Sequence, residues 1–179
     1  MKKSLTDLEC TVLGVIWRDG PCTPYHIRIE FTNSPSSHWS GSAGAIYPLI
    51  RRLEKAKLVQ STPTKQGKRV GRTYHITQQG RRELDRWLSP PLPADTASIQ
   101  FDPLRTRMFF LGSQPKRKAL QFLEDAAVML ERELVRSEEF LQSRIEAKDR
   151  FGAAAGKGAL QVARARLQWI HSAIVELGE

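Results

Sequence analysis

Ser40 to Gln60, SGSAGAIYPLIRRLEKAKLVQ, concentrates the residues of this chain that could engage a polyanion. Five small residues precede Tyr47-Pro48, and Arg51, Arg52, Lys55 and Lys57 follow. Side chains of this type bind phosphate oxygens, and arginine can also donate paired hydrogen bonds to a base edge. Small residues ahead of the charges let the backbone approach closely. The surrounding charge is confined: Ser40 to Leu88 carries eleven Lys/Arg against three Asp/Glu, a net +8, while Ser89 to Glu179 carries only a net +1. Phosphate contacts call for such a block, and a solvated basic face would look the same.

Other chemistries find less support. Cys10 and Cys22 match no zinc or redox spacing, and Cys22 and His26, one helical turn apart, have no two further ligands in view. FGAAAGKGA, residues 151–159, imitates a phosphate loop with Gly152, Gly156 and Lys157. It is one spacer short, lacks Ser/Thr after the lysine and follows no strand, so it reads as an interhelical turn. Ser36, His38 and the scattered acids form no pattern for nucleophilic catalysis. The expectation is a chain that is not an enzyme and uses no metal or cofactor. Its N-terminal apolar residues are interrupted by Asp7, Glu9 and Arg18, and no apolar run is long enough to span a bilayer. With two cysteines and no disulfide pattern, the expected place is the cytoplasm, without membrane attachment.

The elements that must position the basic stretch follow from periodicity. Leu5, Leu8, Val12, Val15 and Ile16 trace one helix face, with Thr6 as cap and Gly20-Pro21 as stop. Thr23-Pro24 opens a second helix carrying Ile27 and Phe31. In a third helix Ile46, Leu49, Ile50 and Leu53 share a buried face, leaving Tyr47, Arg51, Arg52 and Lys55 largely off it. Because proline belongs in a first turn, Pro48 predicts that this helix starts near Ala45 or Ile46. Val59–Thr62 and Thr73–Thr77 predict short strands of a hairpin bearing Lys65, Lys68, Arg69 and Arg72, and QQGRRELDRWL predicts a further helix.

SPPLPADTASIQFDP then reads as a linker. Beyond it, Leu123, Ala127, Leu130, Leu134, Ser137 and Leu141 form one heptad seam, and Leu160, Ala163, Leu167, Ile170, Ile174 and Leu177 a second. The predicted fold is mainly α with a small β-hairpin. An N-terminal winged helix-turn-helix domain (1–88) and a linker (89–103) lead to a C-terminal helical dimerisation domain (104–179). Apolar residues beyond the seams predict that a second copy covers them, with Leu130, Leu134, Leu167, Ile170 and Ile174 as dimerisation residues.

Helix, helix, helix, basic hairpin is the order of a winged helix-turn-helix, whose third helix enters the major groove. The candidate DNA-binding residues are Ser40, Ser42, Ala43, Gly44, Tyr47, Pro48, Arg51, Arg52, Lys55, Lys68, Arg69 and Arg72. Tyr47 stands at the edge of the buried face, open to either a core or a DNA role. Tyr74, alternating with Ile76, reads as packed, and Glu54 as structural.

LTDLECTVLGVI, TPYHIRIEF, GAIYPLIRRLEKAKLV and GRTYHITQQGRREL resemble successive signatures of the PadR-type transcriptional regulators. The later helices are similar, more loosely, to the larger C-terminal dimerisation domain of one branch of that family. The resemblance implies a dimeric DNA-binding repressor acting on double-stranded operator DNA, palindromic given the dimer, with Tyr47 touching DNA. It also implies a small aromatic or hydrophobic effector near the domain junction. Trp17, Trp87, Phe109 and Trp169 are the candidate pocket residues, although any single one reads more readily as core. Two positions depart from the family pattern. Ala45 replaces a usual hydroxyl residue, and Lys57 replaces a usual glycine at the end of the third helix, which predicts a different turn there. The alternative reading is a winged-helix protein-interaction adaptor that binds no operator.

Overall fold

A computed structural model of the chain describes residues 4–34, 43–66, 69–97 and 102–178. Two compact units are present, Met1–Thr96 and Ala97–Glu179.

In the first unit, α1 (Asp7–Asp19) starts at a capping box. The Thr6 hydroxyl accepts from the Glu9 N–H at 3.3 Å, and the Glu9 carboxylate accepts from the Thr6 N–H at 3.0 Å. Gly20 ends the helix, and a Cβ there would lie 2.3 Å from the Ile16 carbonyl oxygen. α2 (Pro24–Asn33) is capped by Thr23, and α3 spans Ala43–Lys55. Val12, Leu13 and Ile16 of α1, Ile27 and Phe31 of α2, and Ile46, Leu49, Ile50 and Leu53 of α3 meet in one core. Each fully buried aliphatic side chain there contributes about 1.5–3 kcal/mol relative to exposure.

α3 begins two residues before its expected start, so Pro48 lies inside the helix. The bond lost is the one its N–H would have made to the Gly44 carbonyl. Nothing stands within 4 Å of where a Cβ on Gly44 would be, and the helix is held by Ile46, Leu49, Ile50 and Leu53 packed in the core.

At the other end, Lys57 adopts a left-handed conformation, φ 61°. The Leu58 N–H donates to the Leu53 carbonyl at 2.9 Å, closing the helix as a C-terminal glycine would. The turn expected to differ is therefore retained, with a lysine in the glycine conformation.

β1 (Val59–Gln66) and β2 (Arg69–Ile76) pair antiparallel from Val59↔Ile76 to Gln66↔Arg69. Both strands run longer than their apolar residues predicted. In a two-stranded ribbon each strand keeps a free edge, which is where a strand proline such as Pro63 is tolerated. Cys22 pairs with Tyr74 through two backbone hydrogen bonds, 2.8 and 3.1 Å, tying the hairpin base to the α1–α2 connection.

α4 (Gln78–Leu88) follows from Thr77, which caps it. The Leu58 carbonyl accepts from both the Thr77 N–H (3.0 Å) and hydroxyl (3.1 Å). A Cβ on Gly80 would stand 2.0 Å from that same oxygen, so glycine is required there.

In the second unit, Asp102 caps the short α5 (Pro103–Met108) and accepts from Arg166 of the last helix at 2.9 Å, pinning the two helices together. α6 (Lys116–Glu146) and α7 (Arg150–Gly178) form an antiparallel hairpin around Leu123, Ala126, Ala127, Leu130, Ile170 and Ala173. Residues 151–159, expected as the turn, are helical; the turn is Ala147–Asp149, with Lys148 at φ 55°. The Asp149 carboxylate accepts from the Gly152 N–H at 2.8 Å and so starts α7 early. Gly156 is a contact rather than a breaker, because a Cβ would come within 3.2 Å of the Leu141 Cα. Among the described residues no helix is long and apolar enough to cross a membrane.

Glycine should suit position 57 better than lysine. Lys57→Gly is expected to raise stability by about 1 kcal/mol, and Gly80→Ala to lower it by more than that, both measured by chemical denaturation.

Candidate nucleic-acid interface

Opposite its buried face, α3 presents Gly44, Tyr47, Pro48, Arg51, Arg52 and Lys55, all exposed. The two arginines differ. The Arg52 Nε lies 3.4 Å from the Glu9 carboxylate of the α1 capping box. Arg51 has no ion pair among the described residues. Partial burial pushes the Glu9 pKa up, but hydrogen bonds from Thr6 and the charge of Arg52 outweigh it and hold the carboxyl below its ordinary value.

Beside α3 lies a groove of about 370 Å³, lined by Thr23 and Tyr25 of the α2 start, Tyr47, Arg51 and Glu54 of α3, and Arg72 of β2. Glu54 joins the helix to the hairpin: its Oε1 accepts from the Ser61 hydroxyl at 2.5 Å and faces Arg72 Nη1 at 3.7 Å. Tyr74 is buried at the base. Sequence reasoning passed over Tyr25, which is exposed and has the Arg28 guanidinium 5.1 Å from its ring centroid. Its only signal was its place directly after the Thr23-Pro24 helix start.

Ser40, Ser42 and Lys68, like Ser36 and His38, lie outside the described residues, and Ala43 and Arg69 are placed by their backbones alone. Arg72 is the described wing cation beside the groove.

In the second unit, Leu130 and Ile170 are buried within the chain's own α6–α7 core, so the hairpin itself already covers them. Leu134, Leu167 and Ile174 are half-buried, and Leu134 and Leu167 line an outward groove of about 440 Å³ with Arg164, Gln168, His171 and Val175. The four aromatic pocket candidates fall two in each unit. Trp17 is exposed, and Trp87 donates its indole N–H to Asp7 at 2.9 Å. Phe109 is exposed, and Trp169 packs against the α6–α7 core.

Cys22 and His26 do not converge: Cys22 is buried in the core, while the His26 Nε2 lies 3.0 Å from Asp19 Oδ2. Ligand atoms of Asp19, His26 and Glu30 lie within 4.8 Å of one another, but Arg18 bridges both carboxylates, making an ion-pair cluster. Partial burial raises the Asp19 pKa, and hydrogen bonds from Arg18 and His26 more than reverse this, leaving it lowered.

Residues 12–86 match the family described as the Transcriptional regulator PadR-like family. A curated relative, the negative transcriptional regulator PadR of Bacillus subtilis, is 26% identical over 121 residues, covering 66% of this chain and 64% of that protein. The match thus spans just under two thirds of the relative's length. In fold the chain is similar to Bacillus subtilis PadR crystallised in complex with operator DNA. That TM-score is 0.82 at 21% identity, covering 98% of this chain and 99% of the other. It is also similar to Bacillus subtilis PadR crystallised in complex with p-coumaric acid, with a TM-score of 0.68 at 22% identity over 96% of each chain.

Burial raises both thiols, Cys10 and Cys22, from the ordinary 9.0 to about 11. The native thiols keep protons that unfolded thiols lose, so stability should fall as pH rises from about 9 to 11. A colorimetric thiol reagent at pH 8 should react with neither cysteine until denaturant unfolds the chain. Rapid reaction of the native protein would contradict this burial.

Proposed function

We propose, from the match of residues 12–86 to the PadR-like transcriptional regulator family, that the chain is a member of it and a sequence-specific DNA-binding regulator acting as a two-fold dimer. In this reading residues 1–88 are the DNA-binding domain, 89–103 the linker and 104–179 the dimerisation domain. α3 enters the major groove with Gly44, Tyr47, Pro48, Arg51, Arg52 and Lys55, led in by Ser40, Ser42 and Ala43. The hairpin, with Lys68, Arg69 and Arg72, lies against neighbouring backbone or minor groove. The observation that carries the reading is the exposed basic side of α3, flanked by the wing cation Arg72 and backed by a fully apolar face.

Double-stranded DNA with a palindromic operator is the expected partner, since two recognition helices related by a dyad read half-sites about one helical turn apart. Where the DNA is, the cytoplasm, is where such a protein works. We further propose that it is a repressor released by a small aromatic or hydrophobic effector. The relative crystallised with p-coumaric acid supports that chemistry, and Trp17, Trp87, Phe109 and Trp169 are the residues offered for it. In the dimer, the half-buried Leu134, Leu167 and Ile174 and the exposed Val135 and Val175 are better placed for a second copy than the enclosed Leu130 and Ile170.

Band-shift titration at two salt concentrations tests the function: binding to selected genomic fragments should weaken steeply as salt rises. No binding even at low salt would favour the adaptor. Arg51→Ala should cost about 1–3 kcal/mol and relax discrimination at one base position. Arg52→Ala should weaken all sequences alike, and also lower stability by less than about 1 kcal/mol through loss of Glu9. Sedimentation at micromolar concentration should give a dimer.

A further inference from the structure

Among the described residues, the groove beside α3 sets the carboxylate of Glu54 among donors. Tyr25 comes from α2, Tyr47 and Arg51 from α3, and Arg72 from β2, and all four line the same space as Glu54. The guanidinium groups of Arg51 and Arg72 and the exposed phenols of Tyr25 and Tyr47, around a groove of about 370 Å³ with the buried Tyr74 at its base, are donors suited to a single tetrahedral anion. Glu54 is bound unequally within this set. Its bond to the Ser61 hydroxyl is short, 2.5 Å, whereas Arg72 stands off at 3.7 Å and is 60% exposed. A pair so long and so open is weak and easily exchanged.

We propose that this groove seats one phosphate of the DNA backbone, and that Glu54 stands in for that phosphate when no DNA is bound. In the free protein Glu54 keeps the Arg72 guanidinium at the rim of the groove. On binding, Arg72 transfers to the phosphate, which also accepts from Arg51 and from the hydroxyls of Tyr25 and Tyr47. Ser61 retains the Glu54 carboxylate on β1, so the hairpin stays docked while the arginine moves. Glu54 is thus a positioning residue, and Tyr25 a backbone contact contributed by a helix other than the recognition helix. This inference rests on the DNA-binding reading above.

The test is a double-mutant cycle on the full chain, read as fluorescence anisotropy with a labelled 30-base-pair duplex of random sequence at several salt concentrations. Glu54→Gln keeps an oxygen for Ser61 and is expected to tighten binding about two- to fivefold, with the salt slope unchanged. Arg72→Ala should weaken binding and lower the slope by about one unit. In the Arg72→Ala background the gain from Glu54→Gln should largely vanish, because no arginine remains to be released. Tyr25→Phe, which removes only an exposed hydroxyl, should weaken binding about two- to fivefold and keeps the inference testable should Glu54→Gln fold poorly. An equal gain in both backgrounds would overturn the exchange and leave Glu54 acting only as a distant charge. Unchanged affinity of Tyr25→Phe would overturn the phosphate seat. A wild-type chain that binds no duplex at all would instead overturn the DNA-binding reading itself.

Discussion

One carbonyl group organises the first unit. The Leu58 oxygen lies where α3 has ended, β1 begins and the chain returns into α4, and it accepts from both the backbone and the hydroxyl of Thr77. Three residues are constrained by this meeting. Lys57 must turn left-handed so that Leu58 can close α3. Thr77 must offer a hydroxyl, which reaches both Lys57 and Leu58 carbonyls and caps α4. Gly80 must lack a side chain, since a Cβ would overlap the Leu58 oxygen. With the hairpin fixed at its base, Glu54 and Ser61 fix it further out, and Arg72 is held beside Tyr47 and Arg51. The groove and its charges are consequences of that closed junction.

The second unit depends on small residues at helix crossings rather than on a junction. Ala127, Ser137, Gly156, Ala163 and Ala173 are buried along α6 and α7, so the two helices approach closely and leave Leu123, Leu130 and Ile170 to fill the space between. α5 then packs through Leu104 and Met108, held by the Asp102–Arg166 pair. Burial raises the Asp102 pKa, and the α5 backbone donors together with Arg166 reverse that, leaving its carboxyl below the ordinary value. Stability from this pair is therefore present at neutral pH and is lost as acid protonates Asp102.

What could be read from the sequence was whatever local pattern determines. Thr6, Thr23 and Thr77 each stand before an apolar-periodic segment, and each caps a helix. The 3.6-residue period placed Ile46, Leu49, Ile50 and Leu53 inside, which left the basic residues outside without further argument. Readings based on single residues against tertiary context went astray. Pro48 suggested a later helix start, because the loss of one backbone bond is visible locally whereas the core packing that holds α3 is not. Gly152 and Gly156 suggested a turn, because nothing local reveals that Gly156 packs against Leu141. A heptad seam does not say whether its partner is the same chain or another, and Leu130 and Ile170 turned out to be enclosed by their own hairpin. Tyr25 and the Glu54–Arg72 pair were illegible for the same reason: they arise where three elements distant in sequence meet.

The central claim is that α3 and the hairpin form a single DNA-reading surface, presented twice by a dimer. Hydroxyl-radical footprinting of genomic fragments enriched by the purified protein tests it most directly. The account predicts two protected patches related by a dyad and separated by about one helical turn, each flanked by weaker protection where the hairpin lies. Enrichment of no fragment above random-sequence DNA, or a single patch without a symmetric mate, would contradict it.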